Sequence, residues 1–211
     1  QDILRDNDVG FDRDRRRITF GLRDHHGNLA GVSGRTVIDE EPRYKIYRAE
    51  FKSIAPGYEL DKSRILWGLD KFYHSRLHVG SEGPVVVCEG FKAALWVKQA
   101  GHEDVVAVIG SSVSHAQHVL LSRVATEVVL FFDNDTAGVK AAWKFSRILG
   151  DMDVKVANYG TSQPISPDDL TPERVRVAIE TALPASVWRK TNAKLGRVPE
   201  TTERPARQIH G

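Results

Sequence analysis

Apolar residues in the second half of the chain fall into short dense runs, separated by longer stretches where they recur every third or fourth position. Val85-Val86-Val87-Cys88, Val105-Val106-Ala107-Val108-Ile109 and Val128-Val129-Leu130-Phe131-Phe132 have no polar interruption, as suits strands buried on both faces. Val154-Lys155-Val156-Ala157 is a fourth, weaker run. Between them lie helical patterns: Phe91 to Ala100 with Gly101 as a C-terminal stop, His115 to Arg123, and Thr136 to Leu149. Thr171-Pro172-Glu173 opens a last helix to about Leu183, with threonine at the N-cap and proline at the first helical position. Strands alternating with helices predict a parallel sheet covered by helices.

The first half is patterned differently. Ile18–Leu22 and Leu29–Val32 flank Asp24-His25-His26-Gly27-Asn28, which reads as a β-hairpin with His25 and His26 solvated at its tip. Residues 1–17 are polar and charged, ending in Arg13-Asp14-Arg15-Arg16-Arg17, and read as a solvated lead-in. Around Arg43-Tyr44-Lys45-Ile46-Tyr47-Arg48, arginine and tyrosine interleave. That mix suits a phosphate-tracking surface with stacking rings, and equally a strand with snorkelling arginines. Asp61 to Phe72 has apolar residues at helical spacing with Ser63 as N-cap. Gly80-Ser81-Glu82-Gly83-Pro84 then breaks the chain. The expected class is α/β: an α+β subdomain over 1–84, a helix-flanked parallel sheet over 85–170, a C-terminal helix over 171–187 and a disordered, mildly basic tail over 188–211.

Candidate chemistry sits where strands end. Glu89 follows the first run, and Asp133 and Asp135 follow the third. Ligands of such sheets bind outside the carboxyl ends of the strands, so the three acids would converge there. Converging carboxylates repel unless a cation joins them, and hard oxygen donors suit Mg²⁺ or Mn²⁺. Taken singly, Glu-Gly is common and Asp-Asn-Asp-x-x-Gly is compatible with a solvated Asx turn. Gly110-Ser111-Ser112 ends the second run with small residues, which permit close approach of a phosphate. A net charge of +2 over 211 residues leaves any nucleic-acid surface local. The single cysteine, Cys88, excludes an internal disulfide and a Cys-based zinc site within this chain. It reads as core packing rather than a nucleophile. No apolar run approaches the ~20 residues of a membrane span and no signal peptide is present, so a reducing, cytoplasmic setting is expected. The chain begins at Gln1, which suggests an excised fragment or a processed start.

Glu-Gly after one strand and Asp-x-Asp-x-x-Gly after another resembles the TOPRIM domain of bacterial-type primases, topoisomerases and some nucleases and recombination proteins. The leader narrows the resemblance. Ile18-x-Phe20-x-Leu22-Arg23-Asp24-x-x-Gly27, the glycines up to Gly34-Arg35, Pro42-Arg43-Tyr44 and Lys62-Ser63-Arg64-x-Leu66-Trp67-Gly68-Leu69 look like the catalytic core of a bacterial (DnaG-type) primase, and the compact, divergent form suits a phage or mobile element. This resemblance implies a Rossmann-like TOPRIM sheet and a DNA-dependent RNA polymerase that makes short RNA primers on single-stranded DNA from ribonucleoside triphosphates. It implies that Arg35 and Lys62 face template and nucleotide. Arg43 stands where the family usually has lysine, and Ser111-Ser112 match a Gly-Thr/Ser-Ser turn. Asp168 matches the second acid of an Asp-Pro-Asp and joins Glu89, Asp133 and Asp135 as an expected metal ligand. Ser166 replaces the first acid of that motif, and Ala93 stands where the family has a further aspartate. A replicative helicase and a zinc-binding module, on another chain or in missing sequence, are the implied partners. A TOPRIM nuclease and a non-catalytic nucleic-acid-binding replication subunit are the alternatives, the latter favoured by Ala93 and Ser166.

Overall fold

The computed structural model describes residues 3–47, 60–79, 83–110 and 113–199. A short helix α1 (Ile3–Asp6) leads into an antiparallel sheet in the order β1 (Val9–Asp12), β2 (Arg17–Arg23), β3 (Leu29–Thr36), β4 (Tyr44–Ile46). The expected hairpin is β2–β3. Its turn is held by the Asp24 carboxylate, which accepts from the N–H groups of His26 and Asn28, both at 2.9 Å. His25 is not simply solvated, because its ring lies 4.8 Å from that of Tyr73. The lead-in is ordered, contrary to expectation. β1 completes the hairpin edge, with Val9 opposite Phe20, and its charges have local partners: Arg23 pairs with Asp8, and Arg15 with Asp12. Arg17 is buried, donating to the carbonyls of Gly34 and Pro42.

The helix expected over Asp61–Phe72 is broken up. A 3-10 turn at Lys62–Arg64 is followed by strand β5 (Leu66–Trp67), a second 3-10 turn at Leu69–Lys71 and helix α2 (Tyr73–Val79). Asp61, not Ser63, is the cap, accepting from the Ser63 N–H at 2.9 Å. The tertiary cause is β5 pairing with a later strand. Gly68 permits the turn, at φ +87° and so close to that strand that a Cβ would meet the Val105 carbonyl oxygen at 2.7 Å.

The larger sheet is built from β6 (Val85–Cys88), β7 (Val105–Val108), β8 (Glu127–Phe131) and β9 (Asp153–Val156). They alternate with α3 (Phe91–Gln99), α4 (His115–Val124) and α5 (Thr136–Ile148). After β9 come α6 (Pro172–Glu180), β10 (Leu183–Pro184) and α7 (Ala185–Lys194). The strand order is β10-β9-β8-β6-β7-β5. The four central strands are parallel, while β5 and β10 add antiparallel edges, so the sheet is mixed rather than purely parallel.

The uninterrupted apolar runs serve two cores. Val85, Val87, Val128 and Leu130 face Leu121, Phe145 and Trp188. Val86, Cys88, Val129 and Phe131 face Ala94, Val97, Val175 and Ala178, together with Phe20 and Leu22 of the first sheet. Each side chain so enclosed contributes about 1.5–3 kcal/mol, which is why polar residues are absent from these runs. Cys88 is fully enclosed and its thiol pKa is pushed up by burial, so it packs rather than reacts.

The C-terminal expectation is also corrected. The helix ends at Glu180, and α7 begins at Ala185 with Trp188 and Val198 seated in the core. The polar look of residues 188–199 reflects a helix with one narrow buried stripe. Among the described residues, no helix is long and apolar enough to cross a membrane.

Candidate active site

β6 lies between β7 and β8, and the connecting helices α3 and α4 pack on opposite faces of the sheet. A crevice therefore opens at the carboxyl ends of β6 and β8. Cys88 is opposite Phe131 in the register, which puts Glu89 and Asp133 at the same edge. Both line a cleft of about 470 Å³ with Asp168, Lys62 and Tyr44. Glu89 and Asp133 are half-buried, and their pKa values are raised. For Glu89 burial is the main cause, followed by the charges of Asp133 and Asp135. For Asp133 burial again leads, a hydrogen bond from the Ser166 hydroxyl opposes it, and the charges of Asp135, Asp168 and Asp169 add to it. Ser166 thus supplies a donor to Asp133 at a point where an acid would add more negative charge.

Several features hold this rim. Asp135 is the N-cap of α5, accepting from the Gly138 N–H at 2.7 Å. Its side chain therefore serves the helix terminus and is not part of the cleft lining. Gly138 is required by contact, since a Cβ there would fall 2.1 Å from the Asp133 carbonyl oxygen. The Tyr159 hydroxyl donates to the Phe132 carbonyl at 2.7 Å. Gly90 is different. Its backbone is extended, and a Cβ would meet nothing within 4 Å. Neither strain nor packing calls for glycine there, so its effect is to leave room in the cleft, as Gly110 does.

The first sheet forms the facing wall. Ser33 and Ile46 are register partners that both line the cleft, and Arg35 is the partner of Tyr44 one step along the same face. Arg35 thus sits on the cleft-side face beyond the lining residues, whereas Arg43 is exposed and outside it. Lys62 is carried in by the 3-10 turn, pinned to α4. Gln117 donates to the carbonyls of Lys62 (3.2 Å) and Ile65 (2.8 Å), and Ser114 donates to that of Ser63. Ser111 and Ser112 lie outside the described residues. Lys92 was not among the expected site residues, yet it lines the cleft and ion-pairs with Asp168. The only local signal for it is a lysine in the first turn after Glu-Gly.

Among the described residues, no group of three or more His, Cys, Asp or Glu side chains is placed so that it could hold a metal ion. The donor set still fits a hard cation in an open site. Glu89, Asp133 and Asp135 influence one another electrostatically, and none of them forms an ion pair among the described residues. Mg²⁺ in particular keeps waters and takes only one or two protein carboxylates in such sites.

A Toprim domain model matches residues 83–158, the segment that holds Glu89, Asp133 and Asp135. The DNA primase of Staphylococcus epidermidis is 32% identical over 164 residues, which is 78% of this chain and 26% of that protein. The chain carries a Toprim domain and is similar to bacterial DNA primases. Its similarity to solved primases extends to the fold. The zinc-binding and RNA polymerase domains of Aquifex aeolicus primase match 90% of this chain and 49% of theirs, at TM-score 0.67 and 22% identity. A DnaG primase catalytic domain bound to single-stranded DNA matches 92% of this chain and 62% of its own, at TM-score 0.66 and 24% identity. The chain spans about a fifth to a quarter of the length of the curated relatives it matches.

Proposed function

We propose that this chain is the RNA-polymerase portion of a primase, joining ribonucleotides on a single-stranded DNA template. The observation that carries this reading is the two-walled cleft. Uncompensated carboxylates Glu89 and Asp133 on one wall face Lys62 and the half-exposed Tyr44 ring on the other. A wall of this kind has a purpose in synthesis, where a triphosphate and a template base must be held against the acid rim.

In the reaction, the 3′-hydroxyl of one nucleotide attacks the α-phosphate of the next. A phosphorus–oxygen bond forms, and pyrophosphate leaves with the electron pair of the broken bond. A divalent cation, Mg²⁺ or Mn²⁺, would be held directly by Glu89 and Asp133, with Asp135 and Asp168 reaching it through water; when bound it would supply charge neutralisation and lower the pKa of the attacking hydroxyl. Lys62 and Lys92 contribute positive charge toward the triphosphate, and Arg35 and Arg43 toward template phosphates farther out. Tyr44 offers a ring for a base, and Gly90 and Gly110, followed by Ser111 and Ser112, leave space for phosphate oxygens. Without the cation, burial and the charges of Asp133 and Asp135 raise the proton affinity of Glu89; the hydroxyl proton would leave to solvent or to Glu89 through a bound water.

A zinc-binding module and a replicative helicase, on another chain or in further sequence of this one, would be partners, with the work done in the cytoplasm. The test is direct: incubate the chain with single-stranded template, Mg²⁺ or Mn²⁺ and labelled ribonucleotides, with Asp133→Ala as control. Short RNA absent from the control supports the reading. Cleaved DNA makes the chain a nuclease, and binding without either product makes it a non-catalytic subunit, for which the Lys92–Asp168 pair would be the structural reason.

A further inference from the structure

We infer that Arg197, arriving from the end of α7, is a positioning residue that locks the Asp133-Asn134-Asp135 turn into its metal-holding shape. This rests on the proposed reading that the turn holds a divalent cation. Asn134 separates the two aspartates and is itself buried. Every polar group it owns is engaged. Its backbone N–H donates to the Ile165 carbonyl at 2.8 Å, and its side-chain amide donates to the carbonyls of Thr161 (2.9 Å) and Gln163 (2.8 Å). Arg197 closes the set: Nη2 donates to the Asn134 carbonyl at 2.7 Å and to its Oδ1 at 3.0 Å. The peptide unit leaving Asn134 leads directly to Asp135, and the one entering it comes from Asp133. Fixing Asn134 on both sides therefore fixes the directions of both acids.

Arg197 is itself built into place. α7 ends with a paired hydrogen-bond signature: Gly196 N–H to the Ala193 carbonyl and Arg197 N–H to the Asn192 carbonyl, each 2.9 Å, with Gly196 left-handed at φ +67°. This cap turns the chain back toward the sheet. The buried Asn192 accepts from Arg197 Nη1 at 3.2 Å, and Val198, next in the chain, is seated in the core. The guanidinium is thus held at both ends, with one edge on the helix and the other on the acid turn. The residue lies outside the segment 83–158 that matches the Toprim model, so the clamp joins the C-terminal end of the chain to that segment.

The experiment is a Mn²⁺ titration of the full chain, with free Mn²⁺ followed by electron paramagnetic resonance, for wild type and Arg197→Ala. Fluorescence of a red-shifted tryptophan analogue incorporated only at position 188 serves as a check that α7 remains docked. The expected result is affinity weaker by about tenfold, the lower end of what outer-shell partners of metal ligands are worth, with unchanged fluorescence and partial recovery on adding methylguanidinium. Equal affinities would overturn the inference, as would a loss of affinity accompanied by undocking of α7. A wild-type chain that binds no Mn²⁺ would overturn the underlying site reading, and this inference with it. A second measurement needs no variant. By linkage, Mn²⁺ must slow backbone hydrogen exchange at Arg197 in the wild type, and unaltered exchange there would also overturn the inference.

Discussion

The two rims of the larger sheet carry depressions of similar size, about 470 Å³ at the carboxyl edge and about 420 Å³ at the amino edge. Both are lined by acids. At the amino edge each acid of the pair Asp104 and Glu127 has a fixed cation: the buried Arg76 guanidinium pairs with Asp104, also reaching the carbonyls of Gly83 and Val124, and Lys155 pairs with Glu127 at 2.9 Å. At the carboxyl edge Glu89 and Asp133 are half-buried without one, and their pKa values are raised in consequence. Size does not tell the two hollows apart. Nor does the mere presence of an unpaired acid, since Glu103 and Glu180 at the amino edge are exposed and Asp168 at the carboxyl edge pairs with Lys92. What differs is partly buried acid without a cation. An acid with its own arginine is structure, and an acid kept partly buried without one is waiting for a ligand.

The contrast breaks most sharply at Asp133. Asp133→Ala should lower primer synthesis by about 10²–10³-fold or more, equivalent to about 3–4 kcal/mol of transition-state stabilisation, while the chain stays folded by circular dichroism. Arg76→Ala at the other rim should do the reverse. Asp104 is about one-third exposed, so losing the buried Arg76 guanidinium and its bonds to the Gly83 and Val124 carbonyls should cost about 1–3 kcal/mol of stability, read from urea unfolding, while Mn²⁺ affinity of the folded fraction is unchanged.

A smaller effect concerns pH. Glu89 and Asp133 hold protons more tightly when folded than at their ordinary values of 4.5 and 3.8. In metal-free buffer their contribution to stability is therefore most favourable below that range. It falls as pH rises through the range, and the full penalty is reached once the folded values are passed. Asp133→Asn should flatten part of this slope and raise the metal-free melting temperature at neutral pH, and it should abolish the further rise that saturating Mg²⁺ gives the wild type. The smallest expected effect is Lys155→Met at the amino rim. That pair is about one-third exposed on both sides, so its loss should cost only about 0.2–1 kcal/mol. A larger cost in urea unfolding would mean that the amino rim depends on its ion pairs more than solvent exposure allows.

The central layer was legible in the chain because its signals are local. A run such as Val85–Cys88 has no polar residue to place on a solvated face, so a strand covered on both sides is the only arrangement that suits it. An acid directly after such a strand must come out at the carboxyl edge, and for that reason Glu89 and Asp133 could be placed together before any coordinates. The same logic failed where a segment's conformation is set by a distant partner. Leu66–Trp67 has helical spacing but is drawn out as β5 by pairing with β7, and residues 9–12 look like solvated lead-in until β2 gives them an edge to join.

What the amino-acid order settles alone is thus the succession of strands and helices, the burial of the central strands and the edge at which the acids emerge. All of these follow from side-chain polarity and backbone periodicity over a few residues. Only the folded molecule decides which acids keep a cation. Lys92 reaching Asp168 and Arg197 meeting Asn134 across 63 positions depend on distances in space. Electrostatic compensation and multivalent hydrogen bonding act through space, and no local pattern along the chain encodes which groups will meet.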